Sequence, residues 1–526
     1  MASRVLGTTR ALGTTRVPGT ARALGAARVL GTTLALATTA ATAVIVLPTS
    51  AGATTPAPAA ASASTGGAAS ARPPVRDDFN GDGYQDVAFT APGATVDGRA
   101  GAGYVGVMYG SANGPKTAVK QVLTQNSPGV PDTAEAGDAF GGSVVSADLD
   151  QDGYSDLVVG AGNDRNGTVE SAGSLTVLWG GAHGLSGGAT LLVGDEQNAK
   201  IGTRTAVGDF DGDGATDVVT LDGGDLHILS GPFRRDGGAA APVRVIRDMD
   251  DLRYLDLTAG DFDGDGRDDL AAVVHDGDEY DSRRILIRKG GASGLAEEYT
   301  VVEGKDGNRL QGGETITAGR VDGDAYDDLV VGRPVDGQDS DVDLPLAEGG
   351  MITYVPGSAT GPRGDRAQVF NQDSAGVPGV AEHSDGFGFS VSIGDVNGDG
   401  YGDIAVGVPG EDLGTTKNAG SVLVLPGTAS GPTGKGTVGF NQDTANVPGV
   451  AEADDRFGAA VALVDTDRDG RTELLVGAPG ENADAGSLWV FPTTASGPTA
   501  EGSFTFGHGT LGTTPTDAKL GSSFSR

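Results

Sequence analysis

Residues 387–411 read FGFSVSIGDVNGDGYGDIAVGVPGE. Phe387-Gly388 opens an apolar run. Nine residues from Asp395 to Asp403 follow, with Asp or Asn at positions 1, 3, 5 and 9 and Gly at position 6. Ile404-Ala405-Val406-Gly407 resumes the apolar run, and Pro409-Gly410-Glu411 interrupts it. A glycine-bearing turn between two short apolar runs reads as strand, loop, strand. What decides the fold is that this stretch recurs.

The nine-residue loop occurs seven times. The first holds Asp78, Asn80, Asp82 and Asp86, with Tyr84 at position 7. The second holds Asp148, Asp150, Asp152 and Asp156 around Tyr154. The third has Asp209, Asp211, Asp213 and Asp217 around Ala215, and the fourth Asp261, Asp263, Asp265 and Asp269 around Arg267. A degenerate fifth starts at Arg320, keeps Asp322, Asp324 and Asp328, and has Ala325 in place of the turn Gly. The sixth is Asp395, Asn397, Asp399 and Asp403 around Tyr401. The seventh is Asp465, Asp467, Asp469 and Glu473 around Arg471. Successive starts lie 70, 61, 52, 59, 75 and 70 residues apart, the length of a four-stranded propeller blade with its loops. Phe140-Gly141 and Phe457-Gly458 precede two other loops. Leu157-Val158-Val159-Gly160 and Leu474-Leu475-Val476-Gly477 follow them. Third strands such as Ser421 to Leu425 and Ser487 to Phe491 come next, closed by Gly/Pro turns.

Together the Phe-Gly, Asp-loop and Gly-Ala-Pro elements resemble the FG-GAP repeat family, the propeller type of integrin α-subunit heads and many bacterial secreted proteins. The resemblance implies an all-β, seven-bladed propeller over residues 77–526. It also implies that the Asp loops join the first two strands of each blade on a lower face, with the remaining loops on an upper face. Blade one begins at its Asp loop and so has no preceding Phe-Gly strand. Residues 519–525, Lys-Leu-Gly-Ser-Ser-Phe-Ser, match the missing element and are expected to join blade one and close the ring.

The loops carry the chemistry. Alternate residues of a tight loop turn carboxylates inward at positions 1, 3 and 5. Position 6 allows the turn, position 7 offers its backbone carbonyl, and the acid at position 9 can bind through both oxygens. This is the opening of an EF-hand-like loop with a strand in place of the helix, and hard oxygen ligands of this number favour calcium over magnesium. Zinc is disfavoured by the absence of Cys and by five scattered His. Five to six Ca2+ sites are expected. The fifth loop is expected to be empty, with the Arg320 charge offsetting its three Asp.

Composition agrees with such a protein. The net charge is −35, and residues 1–53 hold five Arg and no Asp, Glu or Lys, so the remainder carries −40. That charge excludes a nucleic-acid partner and anionic membrane surfaces. Arg recurs every six residues over 4–33, an apolar run spans 34–47, and Ala51-Gly52-Ala53 resembles a cleavage site. We therefore expect a cleaved signal peptide over 1–53, an Ala/Pro/Ser-rich linker over 54–76, and a secreted monomer with no membrane insertion.

No catalytic constellation is legible. The Gly101–Gly106 stretch fits G-x-G-x-x-G but precedes a strand with no helix, and Gly184–Gly188 fits G-x-S-x-G inside a blade turn. Arg363-Gly364-Asp365 spells an adhesion tripeptide that a Gly-, Arg- and Asp-rich chain produces by chance. Three long acidic connectors, 129–138, 371–385 and 441–455, share a Val-Pro and an Ala-Glu. The expected function is an extracellular protein- or glycan-binding adhesion module using such loops on a rigid scaffold. The alternative is an extracellular hydrolase with its site at the propeller channel.

Overall fold

The computed structural model describes residues 75–248, 252–277, 282–336 and 348–526. The expected signal segment, and the linker up to residue 74, lie outside these residues. The regular structure of the described chain is almost all short strands: seven small antiparallel sheets form the blades of a β-propeller, and Thr493–Thr494 with Gly497–Pro498 makes a separate two-stranded ribbon. None of its helices is long and apolar enough to cross a membrane.

Blade six shows the plan. Val391–Gly394 pairs with Asp403–Val408, which pairs with Ser421–Leu425, which pairs with Val438–Phe440. The Asp loop joins the first two strands, so position 9 is the first residue of the second strand and faces Gly394. Five of the seven second strands are buried along their whole length, as in Asp156–Ala161 and Glu473–Ala478. A neighbouring blade covers each face, so these strands read as continuous apolar runs with no alternation.

The cores lie between the blades. Seven buried clusters are present among the described residues, and each is shared by two neighbours. Leu423 and Leu425 of blade six, for example, pack with Val330 and Ile352 of blade five. The residue at loop position 2 plugs six of these junctions: Phe79, Leu149, Phe210, Phe262, Val321 and Val396 are all buried.

The Phe-Gly pairs lock each blade to its predecessor. Phe387 and Phe457 are buried and bridge Gly350 and Gly420, each just before the preceding blade's third strand. Gly458 has φ +94°, and a Cβ there would lie 2.2 Å from the Ser421 carbonyl oxygen, so only glycine fits. Leu520-Gly521 repeats this arrangement at blade one. Leu520 bridges Gly486 of blade seven, Gly521 has φ +87°, and its N–H donates to the Thr90 carbonyl at 3.0 Å. Thr90 N–H donates to Ser523 O at 3.1 Å and Ser525 N–H to Ala88 O at 3.0 Å. Residues 520–525 thus lie along Val87–Ala91. Buried Leu520 and Phe524 enter the cluster shared by blades seven and one, and the series of cores returns to its start.

Candidate metal centres

Each Asp loop is curled by its own carboxylates. In the first, Asp78 accepts from Asp82 N–H at 3.1 Å and Gly83 N–H at 2.8 Å, Asn80 from Asp82 N–H at 2.8 Å, and Asp82 from Tyr84 N–H at 3.1 Å. The second, third, fourth and sixth loops repeat the bonds to positions 1 and 5. The acids at positions 1, 3 and 5 converge in the third and fourth loops, those at 1, 3 and 9 in the second and seventh, and those at 3, 5 and 9 in the fifth.

Among the described residues, carboxylate oxygens converge within 4.8 Å in five loops. The sets are Asp148, Asp150 and Asp156; Asp209, Asp211 and Asp213; Asp261, Asp263 and Asp265; Asp322, Asp324 and Asp328; and Asp465, Asp467 and Glu473. Loops one and six carry Asn80 and Asn397 at position 3 and bring fewer acids together. The donors fit a hard cation on a further observation. Asp465 Oδ1 and Asp269 Oδ2 are buried oxygens with no hydrogen-bond partner, which is costly unless something positive meets them. The fifth loop corrects one expectation. Its three Asp gather like the others, but Arg320 Nε turns to Asp327 Oδ1 at 3.4 Å, outside that set, so the guanidinium does not sit among them.

Position 9 has a second role that sequence reasoning missed. Asp86 Oδ2 accepts from Phe79 N–H and Oδ1 from Gly110 N–H, both at 2.9 Å. Asp156, Asp217, Asp328 and Asp403 make the same two bonds, to the loop's own position 2 and to the Gly that ends the third strand. The acid therefore staples the loop to its sheet. Burial raises these groups against the pull of their hydrogen bonds: Asp86 to about 8, Asp156, Asp269 and Glu473 to about 7, and Asp217, Asp328 and Asp403 to about 6. The other loop carboxylates add to the rise. At neutral pH the groups raised to about 7 or 8 call for a proton or a cation.

Two basic side chains reach into loops from distant sequence. Arg235 Nε meets Asp150 Oδ2 at 2.6 Å, and its Nη2 contacts Asp152. Lys289 Nζ meets Asp263 Oδ2 at 2.5 Å. Neither belongs to a loop motif, so neither was legible. The loops are also wired to each other: Asp268 Oδ2 accepts from Asp209 N–H, Asp327 Oδ2 from Asp261 N–H, and Gln85 Oε1 from Asp465 N–H.

The long connectors leave the opposite ends of the strands. Val380 and Val450, at matching places in two of them, are 67% and 69% exposed. Arg363 and Asp365 are tied to each other by two bonds of 2.7 and 2.8 Å, so the tripeptide's charges are already paired. A cavity of about 890 Å³ follows the inner strands. The Asp256 carboxylate within it is engaged by Arg204 at 3.6 Å and Arg526 at 2.7 Å.

The FG-GAP repeat pattern matches residues 75–108, 140–178, 387–425 and 457–491. Integrin alpha-PS2 of Drosophila melanogaster is 32% identical over 225 residues, 40% of this chain and 15% of that one. Phosphatidylinositol-glycan-specific phospholipase D of Mus musculus is 28% identical over 200 residues, 37% of this chain and 22% of that one. The chain thus spans less than a quarter of either relative. A solved structure of an Agrocybe aegerita lectin, described as recognising non-reducing terminal N-acetylglucosamine, aligns with TM-score 0.36 and 16% identity over 70% of this chain and 83% of its own.

Proposed function

For a seven-bladed propeller carrying FG-GAP repeats of the integrin-like type, we propose a secreted calcium-binding module that attaches to an extracellular protein or glycan. Calcium in the Asp loops stiffens one end of the blades, and the connectors at the other end meet the ligand. The observation that carries this reading is the pairing of five convergent carboxylate sets with exposed Val380 and Val450 on matching connectors. Exposed branched apolar side chains on rigid acidic loops supply contact area, and the surrounding carboxylates supply selectivity. The relatives named integrin support an adhesive role, and those named phospholipase D keep a hydrolytic partner domain in view.

The test is a glycan and extracellular-protein array probed with and without calcium. Binding that needs calcium and is lost in Val380→Ser/Val450→Ser supports the reading. Calcium-independent binding that survives both substitutions overturns it.

A further inference from the structure

Blade three departs from the other six where its third strand ends. Elsewhere that strand runs into a short turn with Ala-x-Gly at 112–114, 182–184, 292–294, 359–361, 429–431 and 495–497. In five of these turns the Ala and the Gly bridge each other. Blade three has Gly231-Pro232-Phe233-Arg234-Arg235-Asp236-Gly237-Gly238 instead. This turn is closed by its own backbone: Arg234 N–H donates to Gly238 O at 2.9 Å and Gly237 N–H to Arg234 O at 2.7 Å. It is also fixed to blade two. Phe233 N–H donates to Leu149 O at 2.8 Å, and the buried Phe233 ring shares a cluster with Leu149 and Trp179.

The turn delivers Arg235 to the second Asp loop. Within that loop Asp150 Oδ1 accepts from Asp152 N–H at 3.2 Å, and Asp152 Oδ1 from Tyr154 N–H at 3.1 Å. Each carboxylate has one oxygen left over, and Arg235 takes both. Its Nε donates to Asp150 Oδ2 at 2.6 Å, and its Nη2 contacts Asp152 Oδ2. Nη2 also donates to Gly180 O at 3.3 Å, and the guanidinium carbon lies 5.6 Å from the centre of the Trp179 ring. Two carboxylates, a carbonyl and an aromatic face thus hold the planar fork. In the third loop Asp211 Oδ1 and Asp213 Oδ1 make the same loop bonds, at 3.0 and 2.8 Å, and among the described residues no ion pair reaches either acid.

We propose that Arg235 is a resident counter-ion that calcium must displace to enter the second loop, which makes this loop a calcium-operated latch between blades two and three. The proposal rests on the reading that the Asp loops take calcium. A hard cation draws on the carboxylate oxygens that the loop's own N–H donors leave free, and in this loop those are the oxygens that Arg235 holds. Two positive charges on the same oxygens repel, so one leaves as the other enters. In the third loop calcium meets no such competitor. In the second it frees the blade-three turn at Arg235 while Phe233 stays anchored, so calcium stiffens one loop and loosens the strap across another.

Trp179 reports on the latch. The chain has two Trp, so Trp489→Phe leaves Trp179 alone. Calcium added to the calcium-free full chain carrying Trp489→Phe should move the Trp179 emission to that of Arg235→Ala/Trp489→Phe, whose own emission calcium should not change. Calorimetry of Arg235→Ala should count as many calcium ions as the parent, with the second loop up to about fivefold tighter. Asp148→Asn, which leaves the Arg235 contacts in place, should remove one calcium and the Trp179 response together. Asp209→Asn/Asp211→Asn should remove one calcium and keep the response. If Asp148→Asn costs one calcium yet Trp179 never responds, ion and guanidinium coexist, and the latch is overturned while the Asp-loop reading stands. If Asp148→Asn costs no calcium and the third-loop variant does, the second loop never fills, and the latch is overturned again. A parent that binds no calcium at all overturns the Asp-loop reading and this proposal with it.

Discussion

Replacing Asp86 by Ala separates the stapling role of position 9 from any role in metal binding. Asp86 is fully buried and takes N–H bonds from Phe79 and Gly110. Truncation leaves two buried donors without acceptors, at about 1–3 kcal/mol each, so the cost is roughly 2–6 kcal/mol. A cooperative unit of this size loses about 1 °C of melting temperature per kcal/mol, which predicts a fall of roughly 2–6 °C. The assay is a thermal melt at pH 6 in saturating chelator, where ligation makes no contribution and the raised Asp86 carboxyl is largely neutral. Asp86→Asn keeps one acceptor and should lose about half as much. Slowed exchange of the Phe79 and Gly110 amides in the parent, lost in Asp86→Ala, would locate the effect. An Asp86→Ala protein that melts with the parent in chelator, and differs from it only in calcium, would refute the staple.

Three further outcomes follow from the same geometry. The position-9 acids bind protons more tightly folded than unfolded, so their contribution is complete below the ordinary carboxylate range near about 4 and is lost as pH rises through about 6–8. In chelator the melting temperature should therefore fall between pH 5 and pH 8, and calcium should reverse most of that fall; a flat chelator profile would contradict this. Removing residues 517–526 strips Leu520 and Phe524 from the core between blades seven and one, worth about 1.5–3 kcal/mol each, and should cause aggregation seen by light scattering. Arg235→Ala removes a tethered cation from the second loop and should tighten calcium there by up to about fivefold in calorimetry, since the guanidinium is half-exposed and screened.

The loops were legible because their chemistry is local: Asp spacing, the turn Gly and the following apolar run all lie within a dozen residues. The recurring acid at position 9 was legible as a pattern, yet its meaning was divided. Metal ligation explains it, and so does a backbone staple to Gly110 or Gly180, partners 24 residues away that no loop motif contains. The apolar position 2 carried a signal that could have been found, since Phe, Leu, Phe, Phe, Val and Val stand there in six copies. It looked like filler in a metal motif, when it is the plug of a junction. Arg320 misled because charge balance was inferred along the chain, while its guanidinium turns to Asp327. Gln442 and Glu481 are hydrogen-bonded across 39 residues and two blades, a contact that the shared Val-Pro and Ala-Glu of the connectors did not reveal.

The placement of the cores between blades has a bearing on how such a chain can lengthen or shorten. A sequence repeat, cut from one Asp loop to the next, holds only halves of two hydrophobic clusters. Deleting one repeat brings together faces that never met, for instance, on loss of the sixth, the blade-seven face carrying Val476 and Trp489 against the blade-five face carrying Val330 and Ile352. Interchangeable repeats would tolerate such splicing. Here each seam has its own residue set, so duplication or loss of a single blade must refashion both new seams at once, and the ring resists recombination more than its regular spacing suggests.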